Sequence, residues 1–347
     1  MFDYITSSNY SSIYPIELFI GLLRYNGGHS ALPKDYRGHR EWGKPLSTFI
    51  TGQRERPAPE KIDMVWLSLV ESTFYSIEKE LPTNNLKQWF EKKDEASGEN
   101  VFERIIVGMA PYGGVAVWCY GIKKSVLASW MKAEKTQVDM KVFHPMYSTI
   151  VLEDYCKQYI SGDARVKDNL EKNGLPAQDL FDCYMQQYTY RYNVQFGHWD
   201  DDEKEWKDYE EDETKPELDY IEETLYDGTH DKLRDGGLFN YHEAGKPKKL
   251  TVKWRIKKSE YYTYFWFENE AIRAVFDKFY GIHPDTKSDF IIHIDPEKKK
   301  YQLVLYRYGL QEPKIIPKEA YQLIVFKNKF EHFRSENYDQ PRGAWIW

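Results

Sequence analysis

Two apolar runs, at 105–107 and 115–120, flank a Pro-Tyr-Gly-Gly turn at 111–114 within the stretch VFERIIVGMAPYGGVAVWCYG (101–121). Runs rich in β-branched and aromatic residues, bounded by Pro and Gly, predict a β-hairpin buried on both faces. The stretch DFIIHIDPEKKKYQLVLYRYG (289–309) follows the same plan. Upstream of the first hairpin the pattern predicts strands at 62–69 and 71–77. A short helix follows over 83–92, with Thr83 as N-cap and Leu86, Trp89 and Phe90 on one face. Residues 13–23 read as an edge strand opened by Pro15, and 24–60 as a loop-rich stretch.

The second half repeats this order. Trp66 and Gly121 are 55 positions apart, as are Trp254 and Gly309. Between them Phe74-Tyr75 answers to Phe265-Trp266, and Leu86/Trp89/Phe90 to Ile272/Val275/Phe276. The expected fold is therefore α+β: two similar ββαββ units with mainly antiparallel sheets, joined by a helical insert, an internal duplication. Two unrelated α+β units are the alternative. The division expected is 1–145, a helical insert over 146–228, and 229–347. Leu152, Tyr155, Cys156, Tyr159 and Ile160 keep helical spacing. A second helix is predicted over 163–173, ended by Gly174 and Pro176. A third is expected over 177–192 with Leu180, Tyr184 and Tyr188 aligned, and a fourth from Pro216 to Gly228. Residues 317–335 also read as helix, with Leu323, Phe326, Phe330 and Phe333 as its stripe. The terminal Trp345 and Trp347 are expected to pack.

At 347 residues the chain can bury two cores. Its 28 Tyr and 11 Trp exceed the usual mix, and such side chains favour contact surfaces. Cys119, Cys156 and Cys183 form no C-x-x-C pair and read as small core residues in a reducing compartment. The apolar run at 16–23 is broken by Glu17 and is too short to span a bilayer. No basic stretch precedes it and no cleavage site follows, so a cytoplasmic location is expected.

Charge changes the picture in one place. Residues 200–223 hold fourteen acidic and three basic residues, a net of −11 against −7 for the whole chain, so the rest sums to +4. Trp199, Trp206, Tyr209 and Tyr220 are set within or beside it. The ordinary reading is a solvated helical face or a mobile loop. The sharper reading is an acidic docking surface, with Trp199, Trp206, Tyr209, Glu210, Glu211, Asp212 and Glu213 meeting a basic protein partner. Such a surface repels nucleic acid. The loop around Trp42 and the 111–114 turn are the next candidates for docking.

Candidate chemistry is thin. Asp227-Gly228-Thr229-His230-Asp231, with Asp235 and His242 beyond it, could hold a metal or do acid–base work. Yet Asp-Gly is a turn dipeptide, which explains the same residues. His293 sits inside a strand, and His144 and His283 precede prolines; all three read as structural. The chain has no G-x-S-x-G, H-E-x-x-H, P-loop or G-x-G-x-x-G. Cys119, between Trp118 and Tyr120 on an apolar strand, is badly placed for a nucleophile. No catalytic or metal residue and no cofactor is assigned.

Tyr14-Pro15-Ile16-Glu17 with Gly21, Trp42-Gly43 and Asp63-Met64-Val65-Trp66-Leu67-Ser68 resemble an uncharacterised bacterial family. Leu81-Pro82, Ile106-Val107-Gly108-Met109-Ala110-Pro111 and Gly113-Gly114-Val115-Ala116-Val117-Trp118 strengthen the likeness. The family is catalogued as domain of unknown function 2931, and the likeness is clearest over 10–145. Many relatives look like lipoproteins with an N-terminal signal; none is read in this sequence, so their envelope location is not expected here. Some sit beside interbacterial secretion or toxin genes, which implies an immunity role; no catalytic residues transfer. The expected function is a non-enzymatic protein that binds and blocks a basic toxin or effector. The alternatives are a hydrolase or metal-dependent enzyme using the His230 region, and a structural or adaptor protein.

Overall fold

A computed structural model describes residues 1–34, 41–45, 55–209, 214–234, 236–281, 285–307 and 313–327, and the backbone of 331–333. The chain divides into two compact units. One is Met1–Met185 with Asp227–Thr229; the other is Gln186–Tyr226 with residues from His230 on.

In chain order the first unit holds β1 (Phe2–Asp3), β2 (Ile5–Tyr10), β3 (Ile16–Tyr25), β4 (Gly28–Ala31), β5 (Glu55–Arg56), β6 (Lys61–Ser68) and β7 (Thr73–Glu80). Then come α1 (Thr83–Phe90), β8 (Arg104–Ala110), β9 (Gly114–Tyr120), β10 (Ser125–Lys132) and β11 (Glu134–Thr136). It closes with α2 (Met140–Phe143), α3 (Leu152–Gly162), α4 (Ala164–Asn173) and α5 (Leu180–Tyr184). One sheet runs β2-β8-β9-β10 and another β11-β7-β6-β3-β4, while β1 pairs β5. β2 is parallel to β8; the other pairings are antiparallel. The core lies between them, with Trp66, Ile105, Val107, Val115 and Val117 all at 0% exposure.

Polar residues hold the loops that the apolar pattern left undefined. On β2, Thr6 Oγ1 donates to the Ala31 carbonyl and Ser8 Oγ to that of Pro33. Asn9 Nδ2 donates to the carbonyls of Glu41 and Lys44, and its Oδ1 accepts from the Gly43 amide. These side chains are buried because their hydrogen bonds are made inside the protein, which removes the penalty of desolvation.

The second unit holds β12 (Tyr188–Asp200), β13 (Glu205–Asp208), β14 (Glu217–Leu225), β15 (His230–Leu233), β16 (His242–Ala244), β17 (Pro247–Ile256) and β18 (Ser259–Phe267). They are followed by α6 (Asn269–Tyr280), β19 (Ser288–Asp295), β20 (Lys300–Tyr306), β21 (Lys314–Ile315), β22 (Tyr321–Lys327) and β23 (Glu331–Phe333). One series of strands runs β15-β14-β17-β18-β22-β23; the other runs β13-β12-β19-β20-β21, with β16 also on β12. β12 is parallel to β19, and β14 is antiparallel to β17.

Among the described residues 48% are strand and 20% helix. The expected α+β class of two ββαββ units joined by a helical insert is therefore corrected to mainly β. The order strand–strand–helix–strand–strand is present at 61–120 and 247–306, but each stretch is only part of a larger set of sheets. Much of the expected insert is strand. The helix expected over 177–192 ends at Tyr184, and β12 begins at Tyr188. The helix expected from Pro216 is β14. Alternation in YTYRYNVQF buries Tyr188, Tyr190, Tyr192 and Val194 on one face; the four-residue tyrosine spacing satisfied a helix equally well.

Other readings need adjustment. β3 is flanked by β6 and β4, so it is not an edge. Pro82, not Thr83, occupies the N-cap position of α1. In the 317–335 stretch read as helix, only Lys318–Ala320 is a short helical turn among the described residues, and Tyr321–Lys327 is β22. Asp163 does cap α4, accepting from the Arg165 amide, and Gly174 ends it at φ 71°. Gly309, Trp345 and Trp347 lie outside the described residues.

Candidate functional site

The acidic segment is a hairpin, not a helical face. β12 runs out to Asp200, the chain turns over 201–204, and β13 returns with Trp199 opposite Trp206. Asp200 shapes the turn: Oδ1 accepts from the amides of Asp202 (2.8 Å) and Glu203 (2.9 Å). Its Oδ2 lies 2.7 Å from Lys207 Nζ, which also reaches Glu203 at 2.9 Å. The Lys207 ammonium and the two amides hold the Asp200 carboxyl far below its usual range. From the β19–β20 turn, Lys298 Nζ donates to the Trp199 carbonyl (2.6 Å) and to Asp201 Oδ2 (3.0 Å). Lys300 Nζ sits 3.7 Å from the centre of the Trp199 ring and 3.7 Å from Asp201 Oδ1.

The expected contact residues are thus partly committed to the sheet. Trp206 stacks on His293 of β19, centroids 4.8 Å apart and planes at 11°, and its Nε1 donates to Gln302 Oε1 at 2.7 Å. Trp199 meets Trp206 edge-on at 5.6 Å, and the Tyr209 ring is 4.4 Å from His198. Trp199, Trp206 and Tyr209 are half-buried. Glu210, Glu211, Asp212 and Glu213 lie outside the described residues.

Burial beneath Trp206 pulls His293 down to about 4, against the opposing charge of Asp208. Between pH 6.5 and 4 the unfolded chain therefore binds a proton that the folded chain does not. The stabilisation is complete above pH 6.5 and lost as pH falls towards 4, by about 2–3 kcal/mol. His293→Gln should flatten the fall in denaturation midpoint over that window. An equally steep fall in the variant would rule His293 out as its source.

The histidine cluster also assembles differently from expectation. Asp227 Oδ1 accepts from the Thr229 amide and hydroxyl, so Asp227-Gly228-Thr229 is a closed turn. His242 has its Nε2 3.6 Å from Glu223 Oε1 and its Nδ1 3.3 Å from the Asn240 carbonyl. Tyr192 donates to Glu223 Oε2 at 2.7 Å. Both ring nitrogens lie nearest oxygens that only accept, which favours the charged imidazolium. Burial opposes that charge, but Glu223, with help from the Asn240 carbonyl and Asp231, raises the His242 pKa overall. Asp235 lies outside the described residues. Among the described residues no three His, Cys, Asp or Glu side chains gather as a metal site.

A second buried carboxylate went unnoticed in the sequence. Glu17 on β3 accepts from the Tyr155 hydroxyl at 2.7 Å, and His144 Nε2 stands 3.8 Å from its other oxygen. Burial, with Glu17, pushes the Tyr155 hydroxyl up. The only local signal was an acid interrupting an apolar run. Burial likewise raises the Cys119 and Cys156 thiols, the latter to about 11, so neither is a thiolate near neutrality.

The two reserve candidates belong to the core. Trp42 is 8% exposed and meets Trp118 and Phe181 edge-on at 5.0 and 5.1 Å. In the 111–114 turn, Tyr112 has φ 57° and donates its amide to Glu71 Oε2 at 3.0 Å.

The family model for proteins of unknown function, DUF2931, matches residues 6–177. Residues 6–177 are a DUF2931 domain. That domain contains the Glu17–Tyr155–His144 cluster and the Trp42–Trp118 contact, and it ends before β12. The acidic hairpin therefore lies outside the DUF2931 match. No curated protein and no solved structure matches the chain. Among the described residues no helix is long and apolar enough to cross a membrane.

Proposed function

We propose that this chain is a non-enzymatic binding protein that docks a basic protein partner on the β12–β13 hairpin. The observation that carries the reading is the division of the hairpin's carboxylates. Asp200, Asp201 and Glu203 are held by lysines, whereas Asp202, Glu205 and Asp208 are exposed and carry no ion pair among the described residues. Beside them stand two tryptophans already fixed in one geometry, which lowers the entropy lost on contact. Unpaired charge speeds encounter with an oppositely charged surface, and a rigid aromatic supplies the contact energy. The same field disfavours nucleic acid.

In its specific form the proposal is an immunity-type protein that occludes a toxin or effector in the cytoplasm. The family resemblance supports the first part, and three free, buried cysteines accord with a reducing compartment. The test uses a partner captured from native cells and then purified. Reversing Asp202, Glu205 and Asp208 to lysine should slow association and weaken its salt dependence. Trp206→Ala should instead speed dissociation, by about 2 kcal/mol if the ring is an anchor. Wild-type rates in both variants would remove the hairpin from the interface.

A further inference from the structure

We propose that the chain's own Lys298 and Lys300 occupy the hairpin as a built-in competitor, and that the partner presents a Lys-x-Lys turn which replaces them. This rests on the docking reading above and names the chemistry that site takes. Asp201 receives both lysines: Lys298 Nζ at 3.0 Å and Lys300 Nζ at 3.7 Å. Lys298 also donates to the Trp199 carbonyl, and Lys300 lies against the Trp199 ring at 3.7 Å. One carboxylate, one carbonyl and one indole face thus recognise two ammonium groups spaced two residues apart. Lys299, at φ 52°, turns the chain between them.

The contacts are of an exchangeable kind. Asp201 is 62% exposed and Lys298 48%. An exposed ion pair changes an equilibrium constant by less than a factor of about five, and a solvent-accessible cation–π contact by a similar amount. Together they mask the site by a factor on the order of ten, which a ligand in trans must overcome. The hydrogen bond from the Trp199 amide to the Asp295 carboxylate (Oδ2, 2.8 Å) involves neither lysine side chain and keeps the hairpin on its sheet when they leave.

The probe is a labelled, N-acetylated Pro-Glu-Lys-Lys-Lys-Tyr peptide, read by fluorescence anisotropy against the full chain. Lys298→Met/Lys300→Met keeps the apolar stems and removes both charges, and should bind the peptide about tenfold more tightly than wild type. Adding Asp201→Asn should abolish the gain. Equal affinity in wild type and double variant overturns the masking; if Asp202→Asn/Glu205→Asn/Asp208→Asn then weakens both, docking on the hairpin stands without it. Peptide binding to none of the proteins overturns the masking as well. Near-ultraviolet dichroism of the Trp199–Trp206 pair reports whether the hairpin persists. If it is lost both here and in Lys298→Ala/Lys300→Ala, the lysines are structural clamps and the proposal fails.

Discussion

Val117→Asp unfolds the first unit, and Leu305→Asp the second. Val117 lies on β9 opposite Val107, and Leu305 on β20 opposite Phe290; all four are fully buried. Val117 belongs to the first hydrophobic core together with Trp66, Ile105, Val107, Met109 and Val115. A carboxylate placed there without a partner costs several kcal/mol even after it takes up a proton. That is comparable with the roughly 5–15 kcal/mol by which a domain is stable. Each substitution should abolish the cooperative melt of its own unit, read by amide hydrogen exchange. Native protection on the β8–β9 amides of Val117→Asp would show that this hairpin is not core.

Glu71→Ala should destabilise the first unit by at least about 4 kcal/mol, because each of three hydrogen bonds to a charged acceptor contributes about 1.5–3 kcal/mol. Three donors converge on that carboxylate: Ser68 Oγ at 2.6 Å, the Tyr75 hydroxyl at 2.7 Å and the Tyr112 amide at 3.0 Å. Two non-glycine residues beside this carboxylate, Ser72 and Tyr112, are in the left-handed region at φ 49° and 57°. That conformation costs about 1–2 kcal/mol per residue, so the turns persist only while something else holds them. Glu71→Gln keeps an acceptor and should lose about half as much. A urea midpoint unchanged in Glu71→Ala, at constant slope, would mean the backbone alone fixes the turn.

Local chemistry specified several elements. The β8–β9 and β19–β20 hairpins were legible because continuous apolar runs broken by a turn have no other way to bury both faces. α3 and α4 were legible because an apolar stripe at helical spacing, an Asp cap and a closing glycine act within a few residues. Tertiary structure decided the rest. YTYRYNVQF and ELDYIEETL carry spacings that a helix and a strand both satisfy, and pairing with β19 and β17 made them strands. The candidate site depends on distance along the chain in the same way. The acidic stretch was visible as charge, and Lys207, which holds Asp200 and Glu203, lies within it; Lys298, which holds Asp201, is 97 residues away. Glu17 and Tyr155 are 138 residues apart, and neither alone announces a buried pair. Composition places charges and rings on the chain; only the sheets bring a given cation to a given carboxylate, because Coulomb and hydrogen-bond energies depend on separation in space.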